Sequence, residues 1–335
     1  MAKSNYQAWH ISSDNFSEDW SDIQKLLFFA EYAVLAPSGH NTQPWHFRCN
    51  DSVLILELNS ERNLPFSGAL AAEPFVSLGA CLETLVLAAK GFGYELNVTY
   101  NLKANLIASI KLGKTIQPDE GLLSAIVSRV SNRNKYVNKP PKQDTFEQIT
   151  GDKLRYVSTH LVEEKQQISF LAQQTELATK EIMSKPEFRA ELSKWVRSNI
   201  TKKYDGMPGF VQGMPTPPSL IAKYIIRNID ISKAQAKKDA ELVINSGAVA
   251  MISVEKSNSE AFLNVGRMYA RICVLAQQRG ISTSGIGAAV IDPLTKRSIK
   301  KHFMIVSQPT ALVRLGKTTH IALHSPRWPL EKVLG

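Results

Sequence analysis

Apolar positions along the chain recur with two periods. Leu26, Leu27, Ala30, Ala33 and Val34 keep one side of a helix apolar. Pro37 ends that helix, because proline cannot continue the hydrogen-bond ladder and disfavours helix in the residue before it. A longer pattern occurs twice. Residues 73–93 (EPFVSLGACLETLVLAAKGFG) align without gaps to residues 260–280 (EAFLNVGRMYARICVLAQQRG), with Glu73/Glu260, Phe75/Phe262, Gly79/Gly266, Ala89/Ala276 and Gly93/Gly280 identical. In the second copy Val265, Met268, Ile272 and Leu275 step by three or four, as on a helix with one buried face. The closing glycine of each copy suits a helix C-terminus at positive φ.

Each copy follows a β-rich run, Val53–Leu58 for the first and Val249–Val254 for the second. This repeated order favours an internal duplication over a chance likeness of two apolar helices. Leu122–Val127 is a further apolar segment, Leu312–Leu315 reads as a short strand, and Ser325–Leu334 as a turn and a last helix.

The 335 residues can bury a core of about two ordinary domains. No window of the sequence reads as a bilayer span, and Met1–Trp20 has no apolar stretch of a secretory signal. Cys49, Cys81 and Cys273 are far apart and in no metal-ligand spacing, which reads as reduced core thiols of a cytoplasmic protein without a metal. The net charge is +10. That favours anionic partners, but the basic residues are scattered and carry no zinc-finger, basic-zipper or aromatic-basic signature, so a generally basic surface is expected rather than a nucleic-acid site, and a small anionic ligand such as a phosphate ester would use only a few of these charges.

Chemistry concentrates in four places. The run Ala36-Pro37-Ser38-Gly39-His40-Asn41-Thr42-Gln43-Pro44-Trp45 packs a hydroxyl, amides and a rigid exit into one turn, suited either to gripping a polar ligand or simply to ending a helix. Arg129 and Arg133, flanking Ser131, fall on one side of a helical turn or flank a short loop; their planar charge suits phosphate, while the spacing alone reads more often as a solvated surface pair. Gly280–Gly287 holds three glycines after a helix, as an irregular loop or a close approach to a flat ligand. Residues 202–230 include the glycine- and proline-rich stretch 204–218 with Met207, Phe210 and Met214, which reads as a lid.

Together these pieces resemble the FMN-dependent nitroreductase family. Pro37 to Phe47 is similar to that family's Pro-Ser-x-x-Asn-x-Gln-Pro-Trp loop, Arg129-x-Ser131-x-Arg133 to its Arg-x-Ser-x-Arg/Lys opening, Gly280–Gly287 to its loop beside the flavin, and Ser325-Pro326-Arg327 with Leu330-Glu331 to its terminal basic segment. The loop belongs to the first repeat and the arginines to the second. That order resembles a twin, fused member of the Acg-like branch, whose halves replace a homodimer and leave one composite site.

The resemblance implies an α+β, three-layer fold of two interlocked pseudo-symmetric halves, residues 1–120 and 121–335, each with a mixed, mostly antiparallel sheet flanked by helices. It implies FMN as cofactor and NADH or NADPH as donor. Arg129 and Arg327 would bind the phosphate with Pro37 and Ser38 nearby, and Arg133 would lie at the pyrimidine edge. Asn41, Gln43 and Ser131 would hydrogen-bond the cofactor, and backbone amides around Gly285, Ile286 and Gly287 would approach the ring. His40 and the lid residues Met207, Phe210 and Met214 would face the substrate. The flavin carries the chemistry, so no side chain is expected to be catalytic. The expected function is reduction of nitro, quinone or similar small acceptors, with an FMN-holding protein of little turnover as the alternative. The chain would act as a monomer or homodimer without nucleic-acid or membrane partners.

Overall fold

The computed structural model describes residues 4–66, 72–137 and 140–335. The first apolar stripe becomes α1 (Asp22–Ala33), whose first turn is fastened by Gln24 accepting from the Ser21 backbone N–H at 2.9 Å. Then come β1 (Trp45–Asn50), β2 (Val53–Leu58), the long α2 (Ala72–Gly91), β3 (Tyr94–Lys103) and β4 (Leu106–Thr115). These strands form an antiparallel sheet in the order β1-β2-β4-β3.

The chain continues through α3 (Glu120–Ser128), α4 (Gln143–Thr150) and β5 (Val157–Val162). A long excursion follows: α5 (Lys165–Ser184), α6 (Pro186–Trp195), the two-residue strands β6 (Val196–Arg197) and β7 (Met207–Pro208), α7 (Thr216–Ser219), α8 (Ala222–Asn228) and α9 (Ser232–Ile244). The second half ends with β8 (Ala248–Val254), α10 (Ser259–Gln278), β9 (Ser282–Ile286), α11 (Ala288–Ile291), α12 (Pro293–His302) and β10 (Gln308–Gly316). Its sheet is antiparallel in the order β5-β8-β10-β9. Both sheets therefore share one plan: two strands, a long helix, two strands, with the last pair reversed in space. The fold class is α+β, in two pseudo-symmetric halves.

The repeated helices α2 and α10 pack on each other, and the contact is reciprocal. A Cβ on Gly79 would lie 1.9 Å from the Leu263 carbonyl oxygen, and one on Gly266 would lie 1.9 Å from that of Val76. Gly79 and Gly266 are equivalent in the repeat, and so are Val76 and Leu263. Such exchange of partners is the mark of a two-fold contact, as in an isologous dimer interface. Any side chain at either glycine would drive the backbones apart.

Patterning sorts the two sheets. Every residue of β8 is buried. Ala248, Ala250, Ile252 and Val254 join the core around α10, while Val249 and Met251 join the one beneath α5 and α9. The continuous apolar run is what a sheet covered on both faces demands. In the first half β3 alternates between exposed and partly buried positions, so helices cover that sheet mainly on one side.

Several expectations are corrected. Gly280–Gly287 is not a loop: residues 282–286 form β9, at the edge of the second sheet. Ser325–Leu334 holds a single 3-10 turn, Leu330–Lys332, in place of a last helix. Ala72–Gly91 is long and apolar enough to cross a bilayer by composition, contrary to the sequence reading, and here it is a core helix mostly buried by protein. Of the three cysteines, Cys81 and Cys273 are buried, but Cys49 is exposed. The stretch 204–218 is ordered by β7, a 3-10 turn at Gly209–Gln212 and α7.

Candidate functional site

After α1 the chain must turn sharply into β1, and the turn is strained. His40, Asn41 and Gln43 all have positive φ, 47°, 58° and 55°, a conformation that non-glycine residues adopt at a cost and that clusters at functional sites. Gly39 makes the turn possible. Its N–H donates to Glu73 Oε1 (3.0 Å) and to Ser77 Oγ (3.1 Å) at the start of α2. A Cβ there would lie 2.2 Å from Glu73 Oε1. Burial raises the Glu73 carboxyl pKa, with the Ser77 and Gly39 hydrogen bonds acting against it. Ser38 Oγ accepts from the Gln43 N–H at 3.0 Å and closes the turn on itself.

The two amides of the loop are used inside the protein. Asn41 Nδ2 donates to the carbonyls of Gly206 (2.9 Å) and Pro326 (3.0 Å), and its Oδ1 accepts from Arg327 Nη1 at 2.6 Å. Gln43 Nε2 donates to the Tyr204 carbonyl at 2.8 Å, and its Oε1 accepts from the Trp328 N–H at 2.9 Å. Each amide thus stitches the strap around 204–206 and the segment 326–328 to the loop.

The Arg129–Arg133 segment is neither a helical turn nor a short loop. Helix α3 stops at Ser128, and Arg129 is already extended, with ψ 128°. Ser131 pairs in parallel with Thr283, and the Asn132 N–H donates to the Thr283 carbonyl at 2.9 Å, so this segment runs beside edge strand β9. In an extended chain alternate side chains share a face, which aligns Arg129, Ser131 and Arg133 over about 13 Å. Burial lowers the pKa of both arginines.

These pieces meet in one narrow cleft of about 50 Å³. It is walled by the loop, the arginine strip, the strap and the terminal segment. Arg327 enters from the last of these and is almost fully buried. Its guanidinium donates to the carbonyls of Pro326 (3.0 Å) and Ala36 (3.1 Å) besides Asn41, while its Nε is buried without a partner. Burial first, and then the charge of Arg129, push the Arg327 pKa well below its ordinary value. Arg129 donates to the Leu35 carbonyl at 2.9 Å. Among the described residues, no carboxylate pairs with Arg129, Arg133 or Arg327. His324 stacks on Trp9 with ring centroids 3.8 Å apart, and burial together with Arg129 and Arg327 pushes its pKa down to about 4. His40 is likewise held near 4, chiefly by burial, and its Nε2 has no hydrogen-bond partner. At neutral pH both imidazoles are uncharged, and the net charge of the cleft comes from arginine.

Of the residues expected at a site, Pro37, Ser38, His40, Asn41, Arg129, Ser131, Arg133, Met207 and Arg327 line this cleft. Gln43, Phe210, Met214, Gly285, Ile286 and Gly287 are not in its lining. The Phe210 N–H and the Met214 carbonyl are tied instead to the Asn199 side chain, at 2.8 and 3.0 Å. Gly285 lies against the Tyr269 hydroxyl and Gly287 caps α11. Ser325, from the terminal segment, also lines the cleft, and Trp9, Val130, Val211, Leu323 and His324 line it without having been expected there. A His-Ser-Pro-Arg run was the one available cue to His324.

No family-wide sequence pattern matches the chain. It is similar to the uncharacterized protein Rv3127 of Mycobacterium tuberculosis H37Rv, with 22% identity over 322 residues and 90% of each chain covered. Among solved structures it is similar to an FMN-bound nitroreductase from Desulfitobacterium hafniense DCB-2 (14% identity, 63% of this chain and 95% of that one, TM-score 0.41). It is also similar to the NADPH:FMN oxidoreductase of Vibrio harveyi in complex with NAD+ (11%, 64% and 76%, TM-score 0.39).

Proposed function

We propose that this chain is an FMN-dependent oxidoreductase of nitroreductase type, a fused duplicate in which residues 1–120 and 121–335 together build one cofactor site. One observation carries the reading: three buried or half-buried arginines from distant parts of the chain converge on a cleft without a carboxylate. Leaving guanidinium groups buried and unpaired is costly. An anion between Arg129 and Arg327 offsets that cost and relieves their mutual repulsion. The donor set suits a phosphate monoester: planar charged N–H groups, the Ser38 and Ser131 hydroxyls, and a neutral His324.

Arg129 and the field of Arg327 would hold the phosphate, and Arg133, further along the strip, would hold the electron-rich edge of the ring. FMN, once bound, supplies two-electron hydride chemistry between NADH or NADPH and a nitro, quinone or similar acceptor. The protein's part would be binding, orientation and charge: Arg133 would set a positive charge beside the ring and so raise its potential. Asn41 and Gln43 act by fixing Arg327 and the strap.

The cleft is far smaller than the roughly 300–1,000 Å³ of a usual small-molecule site. Strap residues such as Met207 therefore have to yield for loading. This favours a second reading, a flavin-holding protein whose strap limits turnover. The purified protein should be yellow, with one FMN released per chain, and should oxidise NAD(P)H when given an acceptor. Gln43→Ala, which unfastens the strap at Tyr204, should raise that rate several-fold if the strap gates access. Full flavin content with no turnover in either form selects the holding role. A colourless protein that binds RNA with a steep salt dependence would overturn both.

A further inference from the structure

A second cavity, of about 550 Å³, opens between the N-terminal segment, the C-terminal end of α2 and the outer side of α3. It shares no residue with the arginine cleft, and its volume is in the usual range of small-molecule sites. In a chain of net charge +10, its lining holds three carboxylates, Asp14, Glu18 and Glu120, and no lysine, arginine or histidine. Behind them stand aromatic walls. Phe16 and Phe92 are 4.5 Å apart between ring centroids, and Tyr32 meets Phe92 edge-on at 5.8 Å.

Tyr32 is the second, independent sign of a ligand. It is 1% exposed and lines the cavity, yet its hydroxyl has no hydrogen-bond partner among the described residues. Gly91 brings the last turn of a twenty-residue helix to the floor, so the negative end of the helix dipole faces the same space. The neighbouring ring of Tyr94, 6.2 Å from Phe16, already carries an ammonium: Lys25 Nζ lies 5.2 Å from its centroid.

We infer that this cavity binds a small organic cation with an apolar body, such as a quaternary or aromatic ammonium ion. The aromatic faces would hold the charged head by cation–π attraction. Asp14, Glu18 and Glu120 at the rim would supply the counter-charge, and the Tyr32 hydroxyl a hydrogen bond or dipole. The inference does not depend on the flavin reading, since none of these residues touches the arginine cleft.

The test is an NMR titration of the full chain, as purified, with benzyltrimethylammonium, and with benzyl alcohol and benzenesulfonate as neutral and anionic controls. The cation should bind at least tenfold more tightly than the alcohol. It should shift signals of residues 11–18, 91–92 and 120–127, and weaken as salt is raised. The Asp14→Asn, Glu18→Gln, Glu120→Gln variant changes only exposed side chains, and should lower cation affinity to that of the alcohol. Equal binding of alcohol and cation, tighter binding of the sulfonate, an unchanged affinity in the variant, or shifts confined to other residues would each overturn the proposal. Flavin content, measured in the same samples, should not change.

Discussion

At the N-terminal end of α2, Glu73 and Ser77 reach outward to hold Gly39, and the space beyond is the arginine cleft. At the corresponding end of α10, their equivalents are Glu260, in a surface ion pair, and the buried Asn264. Glu260 pairs with Arg155 at 3.7 Å. Asn264 accepts from the Tyr100 hydroxyl at 2.9 Å, which in turn accepts from Arg267 Nη1 at 2.7 Å. Arg267 and Arg271 both donate to the buried Glu83, at 2.7 and 2.6 Å. With the repeat offset of 187 residues, Glu83, Arg267 and Arg271 correspond to Ala270, Ala80 and Thr84. Where one end of the helix pair has bulky, mutually neutralised groups, the other has small ones, and its arginines have no carboxylate among the described residues. Two ends of one pseudo-symmetric scaffold are thus differentiated by side-chain volume and by whether each cation has a carboxylate within the protein.

The comparison can be broken most sharply by deleting one cation at each end. Arg129→Ala should lower FMN affinity by about a hundredfold or more, the scale of a lost buried charged hydrogen bond, with little loss of fold. Flavin released per chain after dialysis measures it, and full retention would reject the phosphate assignment. Glu83→Gln should do the reverse, leaving flavin content intact while costing about 3–5 kcal/mol of stability, because two buried arginines lose their counter-ion. Denaturant unfolding of the two variants side by side gives the contrast.

A smaller effect tests the symmetry itself. Gly79→Ala and Gly266→Ala should each destabilise by about 1–3 kcal/mol through overpacking, and by nearly equal amounts, since each pushes on the same carbonyl of the opposite copy. A large inequality would show that the contact is not reciprocal in solution.

Acid provides the finest distinction. His40 and His324 have native pKa values near 4 against about 6.5 when unfolded, so the unfolded chain binds more protons between those values. Stability from the open end should fall as pH drops from about 6.5 toward 4. At Glu83 burial disfavours the charge, but Arg267 and Arg271 outweigh it and lower the pKa. Its contribution persists until pH falls below the ordinary carboxylate range. Unfolding free energies at pH 7, 5.5 and 4.5 should show the early loss, and His324→Gln should reduce it.

Much of this was legible locally. The helices at 73–91 and 260–278 announced themselves by apolar spacing, and the strands beside them by short, mostly apolar runs holding valine and isoleucine. The Pro37–Trp45 loop was legible because proline and glycine constrain the backbone wherever they occur. Gly280–Gly287 was misread because its glycines weaken a strand only in isolation, whereas here β10 on one side and Ser131 on the other complete its pairing. The terminal segment lost its helix to long-range ties such as the Trp328 N–H with Gln43.

The sequence by itself determined the duplicated helices and the loop that departs from α1, since these follow from spacing and from backbone limits of single residues, whereas the crossing of the helices at Gly79 and Gly266 was seen only in the structure. Only the tertiary structure decided that Arg129, Ser131 and Arg133 share one face, that Asn41 and Gln43 fasten a strap, and that one end of the helix pair stays open. Those outcomes depend on which distant groups come within hydrogen-bonding reach. Partners nearly three hundred residues apart, as Asn41 and Arg327 are, leave no periodic trace in the chain.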